Sequence, residues 1–135
     1  MARVGVVVAG FYRHIRDAQV AAAIRRLEEA GHAFEVEDVP GALEVPPAIA
    51  LLDRTGRFEA FVALGCVIRG ETFHFEVVAG ESARGLMALA LDGVAIGNGI
   101  LTVDHEAQAL ARIGKAAEAV DAALALMALK ARLSL

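Results

Sequence analysis

The sequence predicts a three-layer α/β sandwich on a four-stranded parallel sheet, and three observations carry that expectation. Short, β-branched apolar runs recur at residues 4–9, 60–68 and 94–103, as strands buried on both faces read. Stretches of helical periodicity lie between the strands, and parallel strands need crossovers of that length. Such crossovers are almost always right-handed, so the helices spread over both faces of the sheet.

Each element has its own reason. The first strand, residues 4–9, ends at Gly10. Residues 15–30 place Val20, Ala23, Ile24 and Leu27 on one face and turn Arg25, Arg26, Glu28 and Glu29 outward. They stop at Gly31, the preferred position for a helix C-cap. Residues 33–39 alternate Phe34, Val36 and Val39 with acids, as an outer strand does, and the turn Pro40-Gly41 follows. A second helix starts near Pro46-Pro47, because proline suits only a first turn, and runs through Ala48, Ile49, Leu51 and Leu52. The third strand, 60–68, meets the polar break Arg69-Gly70-Glu71-Thr72, and a helical pattern then runs from about His74 to Leu91. The fourth strand is interrupted by Gly97-Asn98-Gly99, where glycine suits a close backbone approach. Asp104 is expected to cap a helix that breaks at Gly114 and resumes over 115–133. No repeat or linker divides the chain, so one domain over 1–135 is expected.

Composition narrows the function classes. At 135 residues, 57% apolar is more than a small domain can hide, so one face is expected to lie against another subunit. The helix at 115–133 is apolar nearly all round and is the expected place for that contact. A net charge of −4 without basic runs leaves no footprint for nucleic acid. The greasiest segment, 116–129, carries Glu118 and Asp121 and falls short of the roughly 20 apolar residues that span a bilayer. A single cysteine, Cys66, forms no internal disulfide, and the first residues lack a secretory pattern, so a cytoplasmic protein is expected.

In open α/β sheets the ligand sits outside the carboxyl ends of the strands, which selects the loops at 10–14, 40–45 and 69–74 and the region after Val103. At 69–74 a glycine, a hydroxyl and free N–H groups converge at a helix start, suiting an anion, although Thr72 and Gly70 can equally be a helix cap and a turn. His74 enters the first helical turn, where the dipole favours a neutral, proton-accepting imidazole; a structural histidine is the alternative. Phe11 can stack on a planar heterocycle or pack in the core. Glu44 can accept from sugar hydroxyls or compensate the next helix. Arg112 can clamp a phosphate or be a solvated charge at a helix end. Cys66 reads as a packed thiol. The histidines His14, His32 and His105 have no metal-ligand spacing, and no metal is expected.

Three segments go further: Pro40-Gly41-Ala42-Leu43-Glu44-Val45-Pro46, Ala63-Leu64-Gly65-Cys66-Val67-Ile68-Arg69-Gly70-Glu71-Thr72-Phe73-His74-Phe75, and Gly99-Ile100-Leu101-Thr102-Val103-Asp104. In that order and spacing the chain resembles the lumazine synthase family of riboflavin biosynthesis, over residues 4 to about 129. The resemblance implies a flavodoxin-like fold, pentamers or cages of pentamers, and active sites between neighbouring subunits. It also implies the condensation of 5-amino-6-ribitylamino-uracil with 3,4-dihydroxy-2-butanone 4-phosphate, losing water and phosphate, without cofactor or metal. By the same resemblance His74 is the acid/base residue. Gly70, Glu71 and Thr72 cradle the phosphate, and Arg112 reaches it from an adjacent subunit. Phe11 stacks on the pyrimidine, Val67 and Ile68 meet its edge, and Ala42, Leu43 and Glu44 hold the ribityl chain. Asn98 stands in the pyrimidine wall where the family often has an aromatic, and Tyr12 where an asparagine is common. Lys115 aligns with the last lysine of a loop that is shorter than usual after Arg112. The alternative is a scaffold of the same fold that binds flavin or lumazine with weak catalysis. A non-catalytic or electron-transfer flavodoxin-like module is a further class, which the loop Gly10-Phe11-Tyr12-Arg13 suits poorly because it is not the Ser/Thr/Gly-rich loop that cradles a flavin phosphate. A receiver domain is disfavoured, because Ala9-Gly10 and Gly65-Cys66 put no acids at the strand ends.

Overall fold

The computed structural model describes residues 3–135, and its layering follows from how β1 (Arg3–Ala9) distributes its side chains. Val4, Val6 and Val8 face one way, Val7 and Ala9 the other, and all five are buried. Such alternation requires cover on both faces. α1 (Arg13–Ala30) and α5 (Lys115–Leu133) cover the first face with Val20, Ala23, Leu27, Ala116, Ala119, Val120 and Ala123. α2 (Val45–Asp53) and α3 (His74–Leu91) cover the second, chiefly with Val45, Ile49 and Leu86. β2 (Ala33–Val39), β3 (Ala60–Ile68) and β4 (Ile96–Val103) complete an all-parallel sheet in the order β2-β1-β3-β4. The fold is therefore the expected three-layer sandwich, with the strand order of the flavodoxin-like class.

Several boundaries differ from the sequence reading. α1 starts at Arg13, two residues early, and β4 starts at Ile96, two late. A 3-10 turn, Ala42–Glu44, sits where only an irregular turn was expected. The helix broken at Gly114 is indeed two, α4 (Glu106–Leu110) and α5. Asp104 is not the cap of α4: His105 holds that position, and the Asp104 carboxylate accepts from Arg69 Nε at 2.9 Å. A charge-assisted bond to a guanidinium outcompetes a neutral backbone N–H for the same oxygen.

Close approach between α5 and β4 fixes that corner. A Cβ on Gly97 would lie 1.8 Å from the Ala119 carbonyl oxygen, and one on Gly99 would meet Leu64 at 2.8 Å. Only glycine lets the helix backbone settle there. α3 is held far less. Of its 18 residues only Ser82 and Leu86 are buried, while Val77, Met87 and Leu91 are exposed, together with Phe73 just ahead of the helix. Those four share a stripe of alternating three- and four-residue steps. α5 buries Ala116, Ala119, Val120 and Ala123 and leaves Leu126, Leu129 and Leu133 exposed toward its C-terminal end, so it keeps apolar surface that the sheet does not cover. A second open stripe, not expected from the sequence, lies along α3.

Candidate active site

The crevice arises from unequal pairing. β1 pairs with β3 only as far as Val8↔Leu64, whereas β3 continues beside β4 to Ile68↔Val103. Past Leu64 the two central strands part, at the point where the sheet order reverses. Gln19 of α1 donates from Nε2 to the Gly65 carbonyl at 2.8 Å just beyond the last β1 pair. Above it opens a cavity of ≈ 410 Å³, the size of an ordinary small-molecule site.

Four segments line it. From the β1–α1 loop come Phe11 and Tyr12, whose rings meet edge-on at 4.9 Å and 80°. Phe11 is 74% exposed, so it is not core. Its loop is braced by Arg16, which grips Asp38 at the end of β2 through Nε at 2.8 Å and Nη2 at 2.7 Å. That bidentate grip holds the Asp38 carboxyl below its ordinary range. The 3-10 turn brings Ala42, Leu43 and Glu44. Glu44 Oε1 accepts from the Gly41 N–H at 2.9 Å, so one oxygen steadies the turn itself rather than the start of α2.

The end of β3 supplies Cys66, Val67 and Ile68. Burial pushes the Cys66 thiol up to about 11, with the nearby Glu106 carboxylate adding to the shift, so the sulfur stays protonated and weakly nucleophilic. The loop to α3 and its first turns bring Gly70, Thr72, His74, Phe75 and Val78. Of the two readings of Thr72, the simple N-cap is not the one found. Phe73 takes that position, and Thr72 Oγ1 receives only the His74 N–H, at 3.4 Å. The following N–H groups of the first turn lack intrahelical acceptors, as at any helix start. Phe75 and Val78 were given no role from the sequence, and Tyr12 was noted there only as a departure from the family's usual asparagine. Val78 lies one turn beyond His74 on the same helix face, a spacing that could have found it.

Arg112 and Lys115 lie elsewhere. They line a groove at the open edge of β4 with Thr102, Gly114 and Glu118. Arg112 follows α4, and its Nη1 donates to the Gln108 carbonyl at 3.0 Å. Asn98 faces outward on that edge, its Oδ1 accepting the Ile100 N–H at 3.0 Å. It thereby occupies a donor that an edge strand would otherwise offer. Glu71 is exposed on its loop and outside the cavity lining. Among the described residues, no three His, Cys, Asp or Glu side chains gather as metal ligands would, and no helix is long and apolar enough to cross a membrane.

Residues 1–131 match the family profile of 6,7-dimethyl-8-ribityllumazine synthase. The chain belongs to that family. A 6,7-dimethyl-8-ribityllumazine synthase from Novosphingobium aromaticivorans is 60% identical, with 99% of this chain and 100% of that one aligned. Those from Sphingopyxis alaskensis and Zymomonas mobilis are 59% and 55% identical, covering 96% and 99% of this chain and 96% and 100% of theirs. A solved flavodoxin from Streptococcus pneumonia overlays 90% of this chain and 99% of its own at 16% identity and TM-score 0.45, which says nothing of activity. Within the lumazine synthase frame, one chain gathers Phe11, Ala42, Leu43, Glu44, Val67, Ile68, Gly70, Thr72 and His74 in one cavity. It holds Arg112, Lys115 and Asn98 apart from it.

Proposed function

We propose that the cavity between β1 and β3 is where this chain, a lumazine synthase by family, condenses 5-amino-6-ribitylamino-uracil with 3,4-dihydroxy-2-butanone 4-phosphate. The observation that carries the reading is the convergence of four separate segments on a single cavity with an aromatic, a carboxylate, a hydroxylated helix start and a histidine. Phe11 stacks on the pyrimidine, and Val67 and Ile68 border its edge. The ribityl hydroxyls bond to the 3-10 turn, where Glu44 retains its second carboxylate oxygen as an acceptor. The phosphate lies against Gly70, Thr72 and the first turn of α3, with Glu71 contributing its backbone N–H.

The amine of the uracil adds to the ketone carbonyl and water leaves to give an imine. Phosphate then leaves by elimination, the enol that remains tautomerises to a methyl ketone, and the ribitylamino nitrogen adds to that carbonyl and expels a second water to close the ring. Each step moves a proton, and His74 stands beside the phosphate loop to accept and return it. Holding two reactants in one cavity removes several kcal/mol of barrier by itself. A scaffold without turnover is not favoured, since binding alone gives no use to a histidine at the mouth of an anion loop.

The cavity lining contains no Lys or Arg, whereas a phosphate dianion calls for a cation. Arg112, with Lys115 beside it, is the cation we assign, presented by a neighbouring copy whose β4 edge and Asn98 close the pyrimidine wall. Five copies in a ring, with the α3 stripes turned to one another, satisfy both the spare apolar face and the missing cation; cages of such rings are a further step. The reading needs no cofactor or metal and places the reaction in the cytoplasm, where a lone thiol stays reduced. Mixing the two substrates with the purified protein and following the lumazine chromophore together with phosphate release tests the activity. Stoichiometric appearance of both is expected, and neither appearing would refute it.

A further inference from the structure

Arg69 lies where the cavity and the cationic groove meet, and its side chain lines neither. Its Nε donates to Asp104 Oδ1 at 2.9 Å, its Nη1 donates to Glu76 Oε1 at 2.8 Å, and its guanidinium lies 4.4 Å from the centre of the Phe75 ring. Its backbone N–H donates to the Val103 carbonyl at 2.8 Å. The contacts continue from there. The Asp104 N–H donates to Gln108 Oε1 at 2.7 Å, and the Gln108 carbonyl accepts from Arg112 Nη1 at 3.0 Å. One end of this series is the first turn of α3, with His74 and Phe75. The other end is Arg112.

We propose that Arg69 is a positioning residue that sets the start of α3 in its own cavity and, through Asp104 and Gln108, the reach of Arg112 toward the next copy. The proposal rests on the roles given above to His74 and Arg112. Two physical reasons support it. Gly70 packs against nothing, since a Cβ placed there would meet no atom within 4 Å, so the loop is steered from its ends rather than by burial. The loop is also ringed by the carboxylates of Glu71, Glu76 and Asp104, which would oppose a phosphate. Arg69 bonds two of the three and offsets their charge while leaving the phosphate to other groups.

Asp104→Asn keeps the shape and weakens the charged bond. It should raise KM for the phosphorylated substrate by about three- to fivefold, with kcat and the KM for the uracil within about twofold of the parent. Gln108→Met cuts the same series one step later and should give the same signature, which keeps the test open should Asp104→Asn fold poorly. Added to Arg112→Ala, either change should bring little further rise in that KM, because the guanidinium it positions is already gone. Arg69→Gln should raise the same KM and also lower kcat, and Arg69→Lys should recover part of the KM effect by restoring charge without the fork. Equal KM changes for both substrates, or full additivity with Arg112→Ala, would overturn the positioning role while leaving the assigned reaction intact. An Arg112→Ala variant with unchanged KM for the phosphorylated substrate would overturn the role of Arg112, and this proposal with it.

Discussion

α3 and α5 are nearly equal in length, 18 and 19 residues, and the chain uses them oppositely. α5 lies directly on the sheet. It reaches β4 through Gly97 and Gly99 and buries Ala116, Ala119, Val120 and Ala123. α3 buries only Ser82 and Leu86, exposes Val77, Met87 and Leu91 along its length with Phe73 just ahead of it, and begins at the cavity with His74. The helix that holds the fold is lined with small residues, and the helix that serves the site is left half-covered. Apolar content alone does not reveal which is which. The small-residue stripe of α5 signals close approach, while the large side chains on α3 signal a surface still to be covered.

The sharpest contrast is at Gly97. Gly97→Ala should destabilise the chain by more than about 3 kcal/mol, since the new methyl meets the α5 backbone rather than a side chain that can turn away. Chemical denaturation would reveal a midpoint shift of that size, and a shift under about 1 kcal/mol would mean that α5 can lift from β4 freely. At the start of α3, by comparison, His74→Ala should leave stability within about 0.5 kcal/mol of the parent and lower kcat about 10²-fold. Steady-state rates at saturating substrate would check it, and an unchanged kcat would reduce His74 to a helix-start residue.

A smaller effect belongs to pH. Burial pushes the Cys66 thiol up to about 11 in the folded chain, from an ordinary value of 9.0. Above pH 9 the unfolded chain therefore releases a proton that the folded chain keeps. Stability is fully present below pH 9 and is lost toward pH 11, by at most about 2–3 kcal/mol. Cys66→Ser should flatten that alkaline limb, and an unchanged limb would assign it to other groups. The least change in the fold of one chain is expected on the open face of α3. Met87→Asp should alter its folding free energy by no more than about 0.5 kcal/mol yet separate the copies in sedimentation. A variant that sediments like the parent would remove α3 from the interface.

Much of the fold was legible because β-branched runs and glycine stops are local signals. All four strands and the break at Gly114 could be read in this way. Asp104 was misread because its partner, Arg69, is 35 residues away, and no local pattern announces a long-range ion pair. Glu44 misled differently: the 3-10 turn that its carboxylate steadies is short enough to look like any Pro-Gly turn. In the site, the individual residue types left every role divided between a plain structural reading and a chemical one. Resemblance to a family supplied the choice, and the geometry then brought nine of those residues to one cavity and left Glu71, Arg112, Lys115 and Asn98 outside its lining. The sequence of one chain cannot display which surface faces a neighbour, because that contact is written in no local period.

Under the proposed function, the histidine of one copy and the arginine of the next complete a single site. Arg112→Ala should lower kcat/KM for the phosphorylated substrate by roughly 10- to 150-fold. Unfolding the His74→Ala and Arg112→Ala chains together at equal amounts and refolding them tests the claim directly. In a ring with one-way contacts, about a quarter of the interfaces should then pair an intact His74 with an intact Arg112 and turn over at the parent rate. Recovery to about that fraction, well above either variant refolded alone, is the predicted result; a mixture no more active than the average of the two would contradict it.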